Sequence, residues 1–144
     1  MEQRTRAVVT GARYALAAIR LVNGAAALFA PRFLSQRLGV DPGQSTGSIY
    51  ALRLFGVRTI YVAAELALGR GDHLRDAMRI APVIHASDVL SAASSGKAGD
   101  LPPKSSRMAT IISTVNLVLA VIIALGAAHE PSATTRSSRL PWRR

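Results

Sequence analysis

Apolar residues fall in four long runs separated by short polar segments. The runs cover residues 12–30, 49–69, 77–94 and 108–128. A helix needs roughly 17–25 mostly apolar residues to cross a bilayer, and each run has about that length. The last run, MATIISTVNLVLAVIIALGAA, carries no charge and is apolar all round. A soluble helix of that length keeps a wet face, so a membrane span is expected there. The second run, IYALRLFGVRTIYVAAELALG, has the same length but contains Arg53, Arg58 and Glu65. In lipid such charges must be paired or hidden, at a cost of at least ~2.5–3.5 kcal/mol each at mid-bilayer.

The segments between the runs have their own signals. Pro31 ends the first run, and residues 33–38 suit a short interfacial helix. Residues 39–47, GVDPGQSTG, read as a loop, as do the hydrophilic residues 95–106. Gly69, Arg70, Gly71 and Asp72 form a tight turn, with Asp72 placed to cap the third helix. Pro82 lies inside the third run, where a membrane helix tolerates it better than a soluble one. Residues 1–11 read as a basic tail and residues 129–144 as a disordered basic tail. The basic start and the Ala-rich stretch at Ala25, Ala26 and Ala27 follow the order of a signal peptide. Arg20 and Asn23 interrupt its apolar part, so a retained first span is expected. The expected fold is an all-α, integral membrane four-helix bundle over residues 12–128.

Composition narrows the classes. Hydrophobic residues make up 49% and charged residues 18%, which is too apolar for disorder. The absence of cysteine excludes disulfides, thiolate metal sites and CxxC redox pairs. The net charge of +10 suggests nucleic acid, but the basic residues are scattered and 5% aromatics give no stacking platform. Nucleic acid is therefore not an expected partner, and the lipid bilayer is. Four spans put both termini on one side. That side holds Arg4, Arg6, Arg13, Arg70, Arg75, Arg79, Arg136, Arg139, Arg143 and Arg144, and the other Arg32, Arg37, Lys97, Lys104 and Arg107. The positive-inside rule then makes both termini cytoplasmic in a multi-pass protein of the cell membrane.

The candidate chemistry is a set of polar side chains at similar depths: Arg20, Asn23, Arg53, Arg58, Glu65, His85, Asp88 and Asn116. At 1.5 Å per residue, Asn23, Arg58, His85 and Asn116 lie near one mid-plane, one from each run. Two pairings are expected, Asp88 with Arg53 or Arg58, and Glu65 with Arg20. His85 and Asp88 are three apart and share a helix face, which makes His85 the candidate for proton transfer. Each helix is expected to turn one polar stripe inward, with Tyr61 a possible member. Gly24, Gly56 and the alanines of all four runs would let the helices approach closely. No metal-ligand spacing is present, and no cofactor is implied.

The segments Arg20 to Gly24 (Arg-x-x-Asn-Gly), Arg53 to Arg58 (Arg-Leu-Phe-Gly-Val-Arg) and His85 to Asp88 (His-Ala-Ser-Asp) occur in that order. In this the chain resembles a group of small four-span actinobacterial membrane proteins of unknown function, broadly DoxX-like. The resemblance covers about residues 12–128. It implies a four-helix membrane bundle in the cell membrane and transfers no catalytic residue. Some DoxX relatives are linked to quinone or thiosulfate redox, to which a cysteine-free chain adds no support of its own. Three functions are compatible with the residues. One is a scaffold or accessory subunit with a structural polar core, working with a membrane-protein partner or a second copy. The others are anion or proton handling at the polar cluster, and a quinone-handling redox subunit. An enzyme is the less favoured class.

Overall fold

The computed structural model describes residues 2–41, 43 and 46–129. All regular structure among them is helical: α1 (Glu2–Phe29), α2 (Pro31–Arg37), α3 (Thr46–Leu68), α4 (Gly71–Ala98) and α5 (Pro103–His129). The helices exceed the apolar runs because polar residues extend them. Residues 2–11, expected as a tail, form the first turns of α1. Most of residues 95–106, expected as a loop, belong to the ends of α4 and α5. The tail from residue 130 lies outside the described residues.

Local chemistry sets the breaks. The chain bends by 107° between α1 and α2. Pro31 opens α2, where a missing N–H is harmless, and its ring drives Ala30 out of helical geometry (φ −126°, ψ 46°). Gly99, at φ 82°, ends α4 in the left-handed conformation that favours glycine. Asp72 does not cap α4. Arg70 holds the N-cap position without a side-chain bond. Asp72 instead pairs with Arg75 at 2.9 Å.

Antiparallel pairs build the bundle. α1 packs on α3, α4 packs on α5, and α1 joins the pairs by packing on α5. α3 and α4, though joined by a two-residue turn, touch only sparsely. Val9 of α1 lies against Gly126 of α5, so the ends of the described chain share one end of the bundle, the terminal end. The α3–α4 turn is also there, beside Arg13. At the opposite, loop end the Ser105 hydroxyl donates to the Arg37 carbonyl at 3.4 Å, tying α5 to α2.

Small residues set the helix spacing. A Cβ on Gly56 would lie 2.7 Å from the Leu28 nitrogen and 2.8 Å from the Gly24 oxygen, both backbone atoms. In the α4–α5 hairpin Gly96 abuts Ser106, whose hydroxyl donates to the Ala92 carbonyl at 3.1 Å. The apolar core is Ala12, Leu16, Ala17, Leu66, Met78, Ala81, Ala120, Ile123 and Ala127, all toward the terminal end. Larger apolar side chains point out. Phe29 is 79% exposed, Leu68 78%, Leu90 70% and Tyr61 63%, so Tyr61 does not join an inward polar face. On α5, Ile111, Val115, Val118 and Leu125 form an exposed apolar stripe.

By length and composition alone, α5 is apolar enough to cross a membrane, and α1 passes that test only together with α2. Only 22% of the most apolar stretch of α5 is buried inside the molecule. Among the described residues α3 and α4 do not reach that length and apolar composition.

The Gly24–Gly56 contact gives a direct test. Gly56→Leu should force α1 from α3 and destabilise the protein by about 1–3 kcal/mol, the usual range for overpacking. Gly11→Ala, where a Cβ meets nothing within 4 Å, is the matched control and should melt like wild type in circular dichroism.

Candidate functional site

Each long helix presents a stripe of small or apolar residues to the interior, interrupted near mid-bundle by a buried polar side chain; α5 also buries Ser105 and Ser106 near its start. On α1 the stripe is Ala12, Leu16, Arg20, Gly24 and Ala27. On α3 it is Gly56, Thr59, Ala63 and Leu66. α4 gives Met78, Ala81 and His85, and α5 gives Asn116, Ala120, Ile123 and Ala127. These positions recur at three- and four-residue steps, the spacing of one helix face. The expected polar stripes are thus single polar residues set in apolar stripes. Arg20, Thr59, His85 and Asn116 lie on the loop-end side of the apolar core.

Arg20 organises this layer. Its side chain is 2% exposed. Nη1 donates to Asp88 Oδ2 at 3.0 Å and to His85 Nδ1 at 3.2 Å. Nη2 donates to Thr59 Oγ1 at 3.5 Å. One guanidinium on α1 therefore reaches both α3 and α4, which contact each other only sparsely. A guanidinium has only donors, so His85 Nδ1 accepts, and the ring proton is assigned to Nε2. The direct His85 Nδ1 to Asp88 Oδ2 separation is 3.6 Å, so Arg20 mediates their contact rather than a short mutual bond.

Asp88 is 19% exposed and has a second cation. Its Oδ1 lies 3.7 Å from Arg58 Nη2. Arg58 is 56% exposed, so this pair sits at the bundle surface over the sparse α3–α4 contact. The expected Asp88–Arg58 pairing is present, but Arg20 is the closer partner. The expected Glu65–Arg20 pairing does not form, because Arg20 extends toward Asp88 and the loop end. Glu65 is half-buried and Arg53 exposed, both off the inward stripe of α3, and Asn23 is half-buried on α1. Thr59 was not singled out by its charge or chemistry. Its signal was position: it continues the small-residue stripe of Gly56 and Ala63, whereas Arg58 is rotated about 100° away.

Three buried polar atoms in this layer have no hydrogen-bond partner: Arg20 Nε, His85 Nε2 and Asn116 Oδ1. The first two are donors and the third an acceptor. Leaving such groups unpaired costs about 1–3 kcal/mol each. Beyond the layer, toward the loop end, residues 86–98 of α4 and 107–115 of α5 include no fully buried position. On the same side α1, α2 and α3 keep Gly24, Ala27, Pro31, Ser35 and Gly56 buried, so the gap in buried positions is confined to α4 and α5. Among the described residues no three His, Asp or Glu side chains converge as a metal-ligand set.

Removing one member of the buried pair should matter more than removing Arg58. Arg20→Met should cost about 3–5 kcal/mol, because Asp88 and His85 lose their shared donor. Arg20→Met combined with Asp88→Leu should recover much of that loss, since an apolar pair of similar volume leaves no buried charge. Arg58→Ala should shift stability by less than about 1 kcal/mol, as for an exposed ion pair. Chemical or thermal unfolding of the purified variants reads all three.

No family model, curated protein or solved structure matches the chain.

Proposed function

We propose that the chain is an integral membrane four-helix bundle that acts as a non-catalytic scaffold or accessory subunit. The observation that carries this reading is an inverted distribution of side chains. The interior is mostly alanines and glycines around Leu16, Leu66, Met78, Ile123 and a charged layer, while Phe29, Leu68, Leu90 and the α5 stripe face outward. Water-soluble monomers rarely expose contiguous apolar surface on this scale. Lipid is the solvent in which large apolar groups belong outside and small residues inside.

The polar residues on α3 and α4 suit the same reading. Arg20, Asp88 and Arg58 satisfy one another across three helices, which lowers the cost of charges that composition alone would count against a span. Exposed hydroxyls bond within their own helix: Ser87 donates to the Ile84 carbonyl at 2.7 Å and Thr114 to the Thr110 carbonyl at 2.8 Å. Such local bonds let Ser and Thr face lipid without an unpaired group. In the proposed orientation the terminal end is cytoplasmic, with Arg4, Arg6, Arg70, Arg75 and Arg79 at that boundary. The DoxX-like likeness belongs to this proposal and rests on the three quoted motifs. A partner membrane protein or a second copy would pack on the outer apolar faces.

A second reading places small-anion binding at Arg58 and Asp88. It is favoured by the half-exposed Arg58 guanidinium and by the absence of fully buried positions in residues 86–98 of α4 and 107–115 of α5. An anion that raises the melting temperature of wild type but not of Arg58→Ala would support it.

The absence of cysteine makes the membrane reading easy to test. The protein should stay with membranes through carbonate extraction. Asp100→Cys should react with an impermeant maleimide on intact cells, and His73→Cys only after permeabilisation. Release into the carbonate supernatant, or equal labelling of both sites on intact cells, would sink the four-span topology.

A further inference from the structure

Two clefts at the terminal end, away from the Arg20 layer, run into each other. The first, of about 410 Å³, lies between α1 and the α3–α4 turn, lined by Arg13, Tyr14, Arg70, Gly71 and Leu74 among others. The second, of about 360 Å³, follows the α1–α3 groove toward the middle of the bundle and is lined by Ala17, Ala18, Leu21, Ile60, Ala63 and Ala64. Tyr14, Ala67 and Leu68 line both. The two clefts therefore adjoin, giving a depression that is cationic at the end of the bundle and apolar along its side.

The cationic part is built rather than incidental. Arg13 Nη2 donates to the Ala67 carbonyl, a free acceptor of the last turn of α3, at 3.1 Å, and to the Tyr14 hydroxyl at 3.3 Å. The guanidinium carbon stands 4.8 Å from the centre of the Tyr14 ring. These contacts fix Arg13 at the cleft wall while its buried Nε has no partner. Arg70 supplies a second cation and sits at the start of α4 without a side-chain cap. The carboxylate in the first turn of α4, Asp72, is engaged by Arg75 at 2.9 Å. Two arginines and the positive end of a 28-residue helix therefore face one cleft. The apolar part has the opposite character. Alanines make its floor, and from Tyr14 to Leu21 it extends about 10 Å along α1. Tyr14 and Leu21, each 51% exposed, leave it open to the side.

We propose that this depression is a binding site for one anionic glycerophospholipid of the inner leaflet, its phosphate between Arg13 and Arg70 and an acyl chain in the alanine groove. The proposal rests on the membrane reading above, which puts the cationic cleft at headgroup level and the groove at acyl-chain level. Charge complementarity selects an anionic head, as for basic pockets at cytoplasmic helix ends generally. The continuous apolar groove selects a lipid over free phosphate.

The test is native mass spectrometry of the full-length protein in mild detergent, titrated with phosphatidylglycerol, phosphatidylcholine of the same chains, and inorganic phosphate. Wild type should bind one phosphatidylglycerol at least tenfold more tightly than phosphatidylcholine. The double variant R13Q/R70Q should lose that preference. Ala18→Phe, at an exposed position in the groove, should weaken phosphatidylglycerol at least tenfold. Circular dichroism should show both variants folded. Equal affinity for the two lipids overturns the proposal, as does a preference retained by R13Q/R70Q, which would assign it to the other basic residues. An Ala18→Phe variant that binds phosphatidylglycerol like wild type, with phosphate competing fully, overturns the lipid in favour of free phosphate. A protein retained by carbonate-washed membranes but lacking lipid preference ends this proposal alone, whereas one released by carbonate ends the membrane reading.

Discussion

The contact on which the bundle depends is the 3.0 Å pair between Arg20 and Asp88. The helices otherwise form two well-packed pairs, α1 with α3 and α4 with α5, joined through α1 and α5. Direct contact between α3 and α4 is sparse, with Leu66, Met78 and Ala81 meeting in the shared core. Arg20 links the two from a third helix, by donating to Thr59 on one side and to Asp88 and His85 on the other. Apolar packing is non-directional, but a guanidinium fixes angle and depth together. A register slip of one residue on any of these helices would turn a partner away and leave a buried charge. The pair therefore specifies one arrangement among several that close-packed alanine faces would permit.

The same layer divides the interior. On the terminal side the core is filled by Leu16, Leu66, Met78 and Ile123 between alanines. On the loop side the buried residues are small or polar, among them Gly24, Ala27, Ser35, Gly56 and Ser106, with close contacts of Gly24 on Gly56 and Gly96 on Ser106. α1 and α3 stay packed there, whereas residues 86–98 of α4 and 107–115 of α5 have no fully buried position. That asymmetry makes Arg58 and Asp88 accessible while Arg20 and His85 are not.

The outer surface completes the physical picture. Large apolar side chains on α1, α3 and α5 face outward, and hydroxyls among them are satisfied within their own helices. At the terminal end this surface meets arginines and a groove of alanines. A bilayer offers the three environments in that order: apolar interior, headgroup phosphate, water. The scaffold reading and the lipid site both draw on this match, but on different residues, so each can be tested apart from the other.

The sequence by itself determined the helices, their antiparallel order and the residues that carry charge. Hydrophobic runs and Pro31 mark the elements because periodicity and backbone preference are local properties, whereas Gly99, inside a stretch read as loop, proved to be a helix end. The polar ends of α1, α4 and α5 were longer than the runs implied, since an apolar count cannot see helix that is not apolar. Which charges lie inside was decided only in three dimensions. Depth along a helix could be read from residue number, and it correctly brought Arg58 near Asp88. Rotation about the helix axis could not be read from the charges themselves. It is set by the small-residue stripes that let neighbours approach, and these put Thr59 inward, turn Arg58 and Arg53 outward, and leave Glu65 without Arg20. Arg20 belongs to such a stripe on α1. It became the centre of the structure because the packing of Gly24 on Gly56 carries it to the one place where α3 and α4 both need a partner.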